Sequence, residues 1–557
     1  LKRITSILIV LIALTLLISI GNIINKEKQV ESNKVTDHIL IIDDYISNDE
    51  NNILIENNNI YFSVELIKEH FDNNIEISQD GKRAYIDLEN KSFEMETKEI
   101  TDFIKENSRK INIPLKIEDD NQYLPINHMK KLFSIDIKYN ESLNTVVIDK
   151  FSSKNKFSTI LEDDIKLYKN KSTKGKIIDT LDQGSRLMLL SKEDNWYKVR
   201  TDKGYFGYVD KKYVNEEIKE MDYDNKINSI RKQHNDENIN ITWEYVYEKT
   251  PDISDEEKIQ GLDVLVPTWF SLSDKGDVIN KADFNYMKDA HKKGYRVWGL
   301  VDNSFDPDLT SKAIGNEEIK NKFISQIAFY AGLYNLDGIN IDFENIYYED
   351  KDNLVKFVED LTYILKKQNL MVSIDVTIPG GSKRWSQVYD RERLANIVDY
   401  VALMAYDEHW ASSPVSGSVA SINWVERGIQ RSLEYIPKEK LLLGIPFYTR
   451  VWKETKDENG NTKVSSKAIP IKNVEEILKK YDAVVTWDDE TGQYFGIYDN
   501  DGATYKIWIE DIRSIKLKIQ MAKKYDLKGI ASWRKGYEYD KVWEAINTVI
   551  EENKDLL

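Results

Sequence analysis

The chain has 557 residues, room for three or four domains at roughly 100–200 residues each. Hydrophobic residues make up 41% and aromatic residues 11%, so the sequence can build packed cores and does not read as disordered. The net charge of −17 repels a phosphate backbone and excludes nucleic-acid binding as a main function, while the absence of cysteine excludes disulfides, thiolate metal sites and a Cys nucleophile. The six histidines, His38, His70, His128, His234, His291 and His409, lie scattered without metal-ligand spacing. No metal or organic cofactor is expected, and carboxylates and aromatics remain as the source of chemistry.

At the N-terminus, Lys2 and Arg3 precede an apolar run from Ile4 to Ile20 that continues weakly to Ile24. Residues 1–24 read as a signal anchor or signal peptide, with retention favoured because no small-x-small cleavage site follows closely. Positive residues before the run place everything after residue 25 outside the cytoplasm.

Residues 37–150 contain an internal repeat. The stretch from Tyr61 returns from Tyr123, with Phe71 matching Phe133 and Ile86-Asp87 matching Ile148-Asp149. Each copy reads as a short strand, an amphipathic helix and a hairpin. The module resembles the copper-amine-oxidase N-terminal-like domain, without copper chemistry. Residues 157–215 are short strands and turns. Trp196, Tyr197, Gly204 and the run Gly207-Tyr208-Val209 resemble a bacterial SH3-like β-barrel, a module that serves either as a spacer or as a grip on peptide or glycan.

From residue 238 to 550, apolar strands alternate with helical patterns, which predicts an α/β architecture with parallel strands. Eight strand candidates begin at Ile239, Asp263, Arg296, Asp337, Met371, Tyr400, Leu441 and Gly529. They suit a closed (β/α)8 TIM barrel with an α+β insertion near residues 451–512.

The fourth candidate, DGINIDFE, alternates Ile339, Ile341 and Phe343 with Asn340, Asp342 and Glu344. Period two puts the polar side chains on one face. Parallel barrel strands are normally apolar on both faces, so a polar stripe there points to an active site. Two carboxylates two residues apart repel, and one holds its proton near neutrality. Glu344, at the strand's end, is the natural general acid. Both groups approach from one side, however, so a nucleophile must come from another strand or from the substrate.

DGINIDFE, from Asp337 to Glu344, resembles the DxxDxDxE signature of glycoside hydrolase family 18. MAYD, from Met404 to Asp407, resembles that family's second motif, and Trp533 resembles the Trp beneath the reactive sugar. The resemblance implies a retaining hydrolase of β-1,4-linked N-acetylglucosaminyl glycans whose nucleophile is the substrate's own acetamide oxygen. It implies Glu344 as acid and then base, Asp342 as partner of the acetamide N–H, and Tyr406 as donor to the acetamide oxygen. Asp407, Asp337 and Asn340 would support the site, and Trp533, Trp269 and Met404 would contact sugar. The family usually has Asp where this chain has Asn340, an amide that could hydrogen-bond Asp342. Asp407 and Asp375 are the candidates should a carboxylate be the nucleophile instead. Trp298, Trp410 and Trp508 are open between sugar stacking and core packing. Glu244 and Glu510 read as surface ion pairs, and Asp302 and Asn303, ending the third strand, as supporting hydrogen-bonders. The layout is most similar to cell-wall and spore-associated members of Gram-positive bacteria. Peptidoglycan is the expected substrate, chitin the runner-up, and a non-catalytic glycan-binding protein the reading from another class. The expected location is extracytoplasmic, membrane-anchored or secreted, in association with the cell wall.

Overall fold

The computed structural model describes residues 38–47, 50–56, 59–89, 91–151, 155–215, 227 and 238–551. The apolar run at residues 4–24 lies outside them, and among the described residues no helix is long and apolar enough to cross a membrane. The chain divides into two compact units, residues 1–65 with 134–224, and residues 66–133 with 225–557.

In the first unit, the hairpin of the second repeat copy (Ile135–Asn140 with Thr145–Lys150) is joined in parallel by Ile39–Ile42, and Tyr45–Ser47 completes a four-stranded sheet. The SH3-like segment forms a six-stranded sheet with Leu167, Leu187, Val199 and Val209 at its centre. The strand Thr145–Lys150 is buried on both faces and takes Asp149 inside with it, where it meets Arg200 and Arg186 from the SH3-like strands. Arg200 and Asp149 are 0% and 2% exposed, so each neutralises a charge that neither could leave unpaired there.

The second unit begins inside the repeat. Helix Lys98–Asn107, capped by Thr97, and the strands Arg83–Asp87 and Lys110–Pro114 belong with the barrel rather than with the other half of their module. Phe93 packs edge-on against Phe329 at 5.4 Å. The Asn112 N–H donates to Tyr330 Oη (2.8 Å), and its side-chain amide donates to the Val278 carbonyl (2.7 Å). Buried polar groups need such partners, so this half of the module acts as a cover for barrel helix surface.

Eight parallel strands close the barrel, each beginning within a residue of its expected start: β1 (Ile239–Glu244), β2 (Val264–Pro267), β3 (Arg296–Asp302), β4 (Gly338–Asp342), β5 (Met371–Thr377), β6 (Tyr400–Met404), β7 (Leu441–Pro446) and β8 (Gly529–Trp533). Every neighbouring pair is parallel, β8 with β1 included. Helices such as Glu317–Leu333, with Asn316 as its cap, and Lys351–Lys366 cover the outside with long apolar faces. Ile241, Trp243, Trp298, Leu300, Tyr400 and Leu442 fill the inside. The insertion between β7 and β8 is a five-stranded antiparallel sheet, starting with Tyr448–Lys456, carrying the short helix Val474–Lys480.

The ion pair in the first unit gives a stability prediction. Asp149→Ala should destabilise that unit by about 3–5 kcal/mol, because it leaves Arg200 charged and buried. A denaturant melt of the full chain should show the unit's transition at lower denaturant. An unchanged midpoint would mean that the pair contributes nothing net.

Candidate active site

Barrel strands present their C-terminal ends to one face, and the polar stripe of β4 runs toward it. Asn340 sits deepest, with no exposed surface. Its Oδ1 accepts from Trp243 Nε1 of β1 (3.0 Å), and its Nδ2 donates to Ser373 Oγ (2.9 Å) and Asp375 Oδ1 (2.8 Å) of β5. The expected partner, Asp342, is not the one it holds. Strand β5 lies in register beside β4, with Asn340 opposite Ser373, so the neighbouring strand rather than the next residue up receives the amide.

Asp342 ends β4 opposite Asp302 of β3 and is 6% exposed. Burial raises its pKa well above the carboxylate range, and the charges of Glu344, Asp375 and Asp302 add to the shift. Its Oδ1 is buried and has no hydrogen-bond partner among the described residues. Glu344 lies two residues beyond the strand and is partly exposed, where a substrate can reach it. Burial first, then the charge of Asp407, pushes its pKa up to about 7. Asp375 is also raised well above its ordinary value, again mainly by burial, with the Asn340 hydrogen bond opposing. Three carboxyls that resist ionising together can hold a proton at neutral pH.

The loop after β6 brings Tyr406 and Asp407. Burial raises the Tyr406 phenol well above its usual range, and the charges of Asp375, Asp342 and Glu344 reach it too, so it stays a neutral donor. Asp407 is exposed and has a left-handed backbone, φ 59°. Its Oδ1 accepts from Tyr448 Oη (2.7 Å) and Arg450 Nη2 (3.3 Å), both from the first strand of the insertion. Met404 ends β6 and is buried beside Thr377 and Gly444. Trp533 ends β8, half-buried, its ring 5.9 Å from that of Trp243.

Other expected residues lie elsewhere. Asp337 precedes β4 and sits roughly 20 Å of strand away from Glu344, at the opposite end of the barrel. There its Oδ2 binds His291 Nε2 (2.8 Å) and accepts the Val297 N–H (2.8 Å), a structural clamp rather than site support. Trp269 is fully buried, donating to Thr250 Oγ1 (2.9 Å) and packing edge-on against Tyr286, so it has no face for a sugar. Trp298 is equally buried, stacked on Tyr400, and Trp508 packs on Phe495. Trp410 alone of these open cases is largely exposed. Glu244 and Glu510 are in ion pairs, with Lys535 (3.0 Å) and Lys518 (2.8 Å), but buried rather than at the surface. Asp302 accepts from Ser271 Oγ and the Ser304 N–H.

Sequence reasoning passed over Ser373, Trp243, Tyr448 and Arg450, and gave Asp375 only a nucleophile's part. Ser373 and Asp375 repeat on β5 the period-two polar pattern of β4, a signal that was there to be read. Tyr448 and Arg450 carry no such signal, because the fold alone carries them back to Asp407.

The family model for glycosyl hydrolases family 18 matches residues 241–538, a bacterial SH3 domain matches 163–215 and a copper amine oxidase N-terminal domain matches 43–148. The protein named uncharacterized glycosylase YvbX, from Bacillus subtilis (strain 168), is 29% identical over 289 residues, 50% of this chain and 81% of that one. The cortical fragment-lytic enzyme of Bacillus anthracis is 26% identical over 253 residues, 45% of this chain and 58% of that one. The spore cortex-lytic enzyme SleL of Bacillus megaterium QM B1551 shares the fold at a TM-score of 0.50 and 20% identity, over 56% of this chain and 73% of that one.

The raised Glu344 pKa makes stability depend on pH. A carboxyl at about 7 in the fold and 4.5 unfolded favours folding when protonated, so its contribution is full below 4.5 and lost as pH rises to 7. Glu344→Gln should therefore be more stable than wild type by about 3 kcal/mol at pH 8 and nearly equal at pH 4. Thermal melts across that range check it, and equal melting temperatures at pH 8 would refute it.

Proposed function

The chain belongs to glycosyl hydrolase family 18, and from that premise we propose that it hydrolyses β-1,4-linked N-acetylglucosaminyl glycans, peptidoglycan foremost, with retention and with the substrate's acetamide as nucleophile. The observation that carries this reading is the buried, unpartnered Oδ1 of Asp342 beside Glu344, whose pKa burial pushes up to about 7. An acetamide N–H is the group that such an acceptor lacks.

In this mechanism Glu344 gives its proton to the departing glycosidic oxygen as the acetamide oxygen attacks the anomeric carbon, displacing the leaving sugar. Positive charge develops on the acetamide nitrogen. The buried Oδ1 of Asp342 accepts from the acetamide N–H, a bond that strengthens as charge develops there, and so stabilises the transition state more than the bound substrate. The Tyr406 phenol donates to the acetamide oxygen and orients it. The Glu344 carboxylate then takes a proton from water as the water oxygen attacks the anomeric carbon from the face the leaving sugar left. That attack breaks the bond to the acetamide oxygen, frees the neutral acetamide and restores the acid. Two displacements give retention. Trp533 supplies an apolar floor for the reacting sugar.

Cell-wall action outside the cytoplasm is supported by the apolar run at residues 4–24, taken as a retained anchor, and by the bacterial SH3 domain carried in the same chain. The runner-up, chitin, is separated by comparing release of soluble sugars from purified peptidoglycan and from chitin.

The mechanism predicts a fall in kcat/KM as pH rises through about 7, where Glu344 of the free enzyme loses its proton. Glu344→Gln should lose about 10²–10⁴-fold in kcat on substrates with poor leaving groups. Asp342→Asn should lose about 10²–10³-fold. An N-acetylglucosamine-derived thiazoline should inhibit the wild type competitively. Wild-type rates in Glu344→Gln would defeat the assignment, and a trapped covalent sugar on Asp407 or Asp375 would replace the nucleophile.

A further inference from the structure

Hydrogen bonding between β3 and β4 ends at the pair Asp302–Asp342, yet Glu344 lies two residues further on. Beyond that pair the β3 chain turns away, with Ser304 and Phe305 both in the left-handed region at φ 56° and 53°. The backbone groups of Glu344 would then have no ladder partner in a poorly solvated recess. One side chain supplies both. The Glu344 N–H donates to Asn303 Oδ1 (3.0 Å), and Asn303 Nδ2 donates to the Glu344 carbonyl (2.7 Å).

The rest of Asn303 is equally committed. Its Nδ2 also donates to Thr310 Oγ1 (2.8 Å), and its Oδ1 also accepts the Phe305 N–H (3.3 Å). Thr310 Oγ1 gives its own proton to the Asp306 carbonyl, so toward Asn303 it can only accept, which fixes which end of the amide is which. The side chain is 0% exposed and uses two donors and two acceptor lone pairs, the full capacity of a primary amide. Tyr389 Oη donates to the Phe343 carbonyl (2.8 Å), and Asn345 Nδ2 to the Phe305 carbonyl (2.9 Å), so the residues on either side of Glu344 are held as well.

We propose that Asn303 is a positioning residue for the catalytic acid: its amide replaces the missing strand and fixes the peptide from which the Glu344 carboxyl projects. The inference rests on the reading of Glu344 as acid. A change of about 1 Å in such a group costs on the order of 100-fold in rate, while substrate held elsewhere binds as before.

Two substitutions in the full chain test it. Asn303→Leu keeps the volume and removes both bonds. Asn303→Asp keeps the acceptors but turns an oxygen toward the Glu344 carbonyl and adds a negative charge to the set already facing Glu344: Asp342 from β4, Asp375 from β5, Asp407 and Tyr406 from the loop after β6, Tyr389 after β5, and Tyr448 from the insertion. The readouts are kcat and KM on a chito-oligosaccharide, and the titration midpoint of the Glu344 carboxyl by carbon-13 NMR, assigned by its loss in Glu344→Gln. Asn303→Leu should lower kcat about 10- to 100-fold with KM changed less than about twofold. Asn303→Asp should move the midpoint to higher pH. A folded Asn303→Leu with wild-type kcat, or an unmoved midpoint in Asn303→Asp, overturns the proposal. Where Asn303→Leu fails to fold, the midpoint in Asn303→Asp decides. If the wild type cleaves no glycan, the functional reading fails by itself, and the midpoint still judges the clamp.

Discussion

Crowding carboxyls into a poorly solvated barrel mouth is the constraint on which the site depends. Asp342, Glu344 and Asp375 each lose solvation there, and no ion pair to a lysine or arginine offsets it among the described residues. The relief is partial and directional. Asn340 gives one amide proton to Asp375 and takes one from Trp243, so the deepest carboxyl is held by neutral donors. A cation placed there would lower all three pKa values and remove the proton from Glu344. With no cation there among the described residues, burial and the charge of Asp407 hold Glu344 near 7 instead. Arg450 is tied to Asp407, the exposed member of the set.

Much of this was legible because period two is a strong constraint. Asn340, Asp342 and Glu344 had to share a face once the strand was assigned, and an inward polar face in a parallel barrel has few explanations. Asp337 shows the limit of reading a motif as a unit. Four of the signature's positions carry polar residues, but a strand has two ends, and the first of these falls at the end away from the site. Trp269 failed for a different reason. An aromatic ring fits a sugar and a core equally well, and only the packing of Tyr286 and Thr250 around it decides.

The least legible parts depend on long-range closure. Nothing in FYTR announces that Tyr448 and Arg450 return to Asp407, since that contact exists only because the insertion leaves from the end of β7. The repeat is similar. Its two copies match in sequence and in element order, yet one hairpin is extended by Lys110–Pro114 and the other by Ile39–Ile42 in parallel. Self-similarity predicted the elements and not their neighbours, because partners are chosen by whichever apolar face is left open.

Asn340 also bears on why an amide is tolerated where the family usually carries an acid. An acid at that depth would add a fourth carboxyl to a cluster in which burial already opposes ionisation, and it would have to be protonated to donate to Asp375. The amide donates whatever the pH. Its hydrogen bonds to Ser373 and Asp375 therefore persist while Glu344 cycles between its two protonation states. The consequence is a division of labour along one strand: a pH-independent anchor at Asn340, an unpartnered acceptor at Asp342, and a proton-exchanging carboxyl, Glu344, at the solvent end.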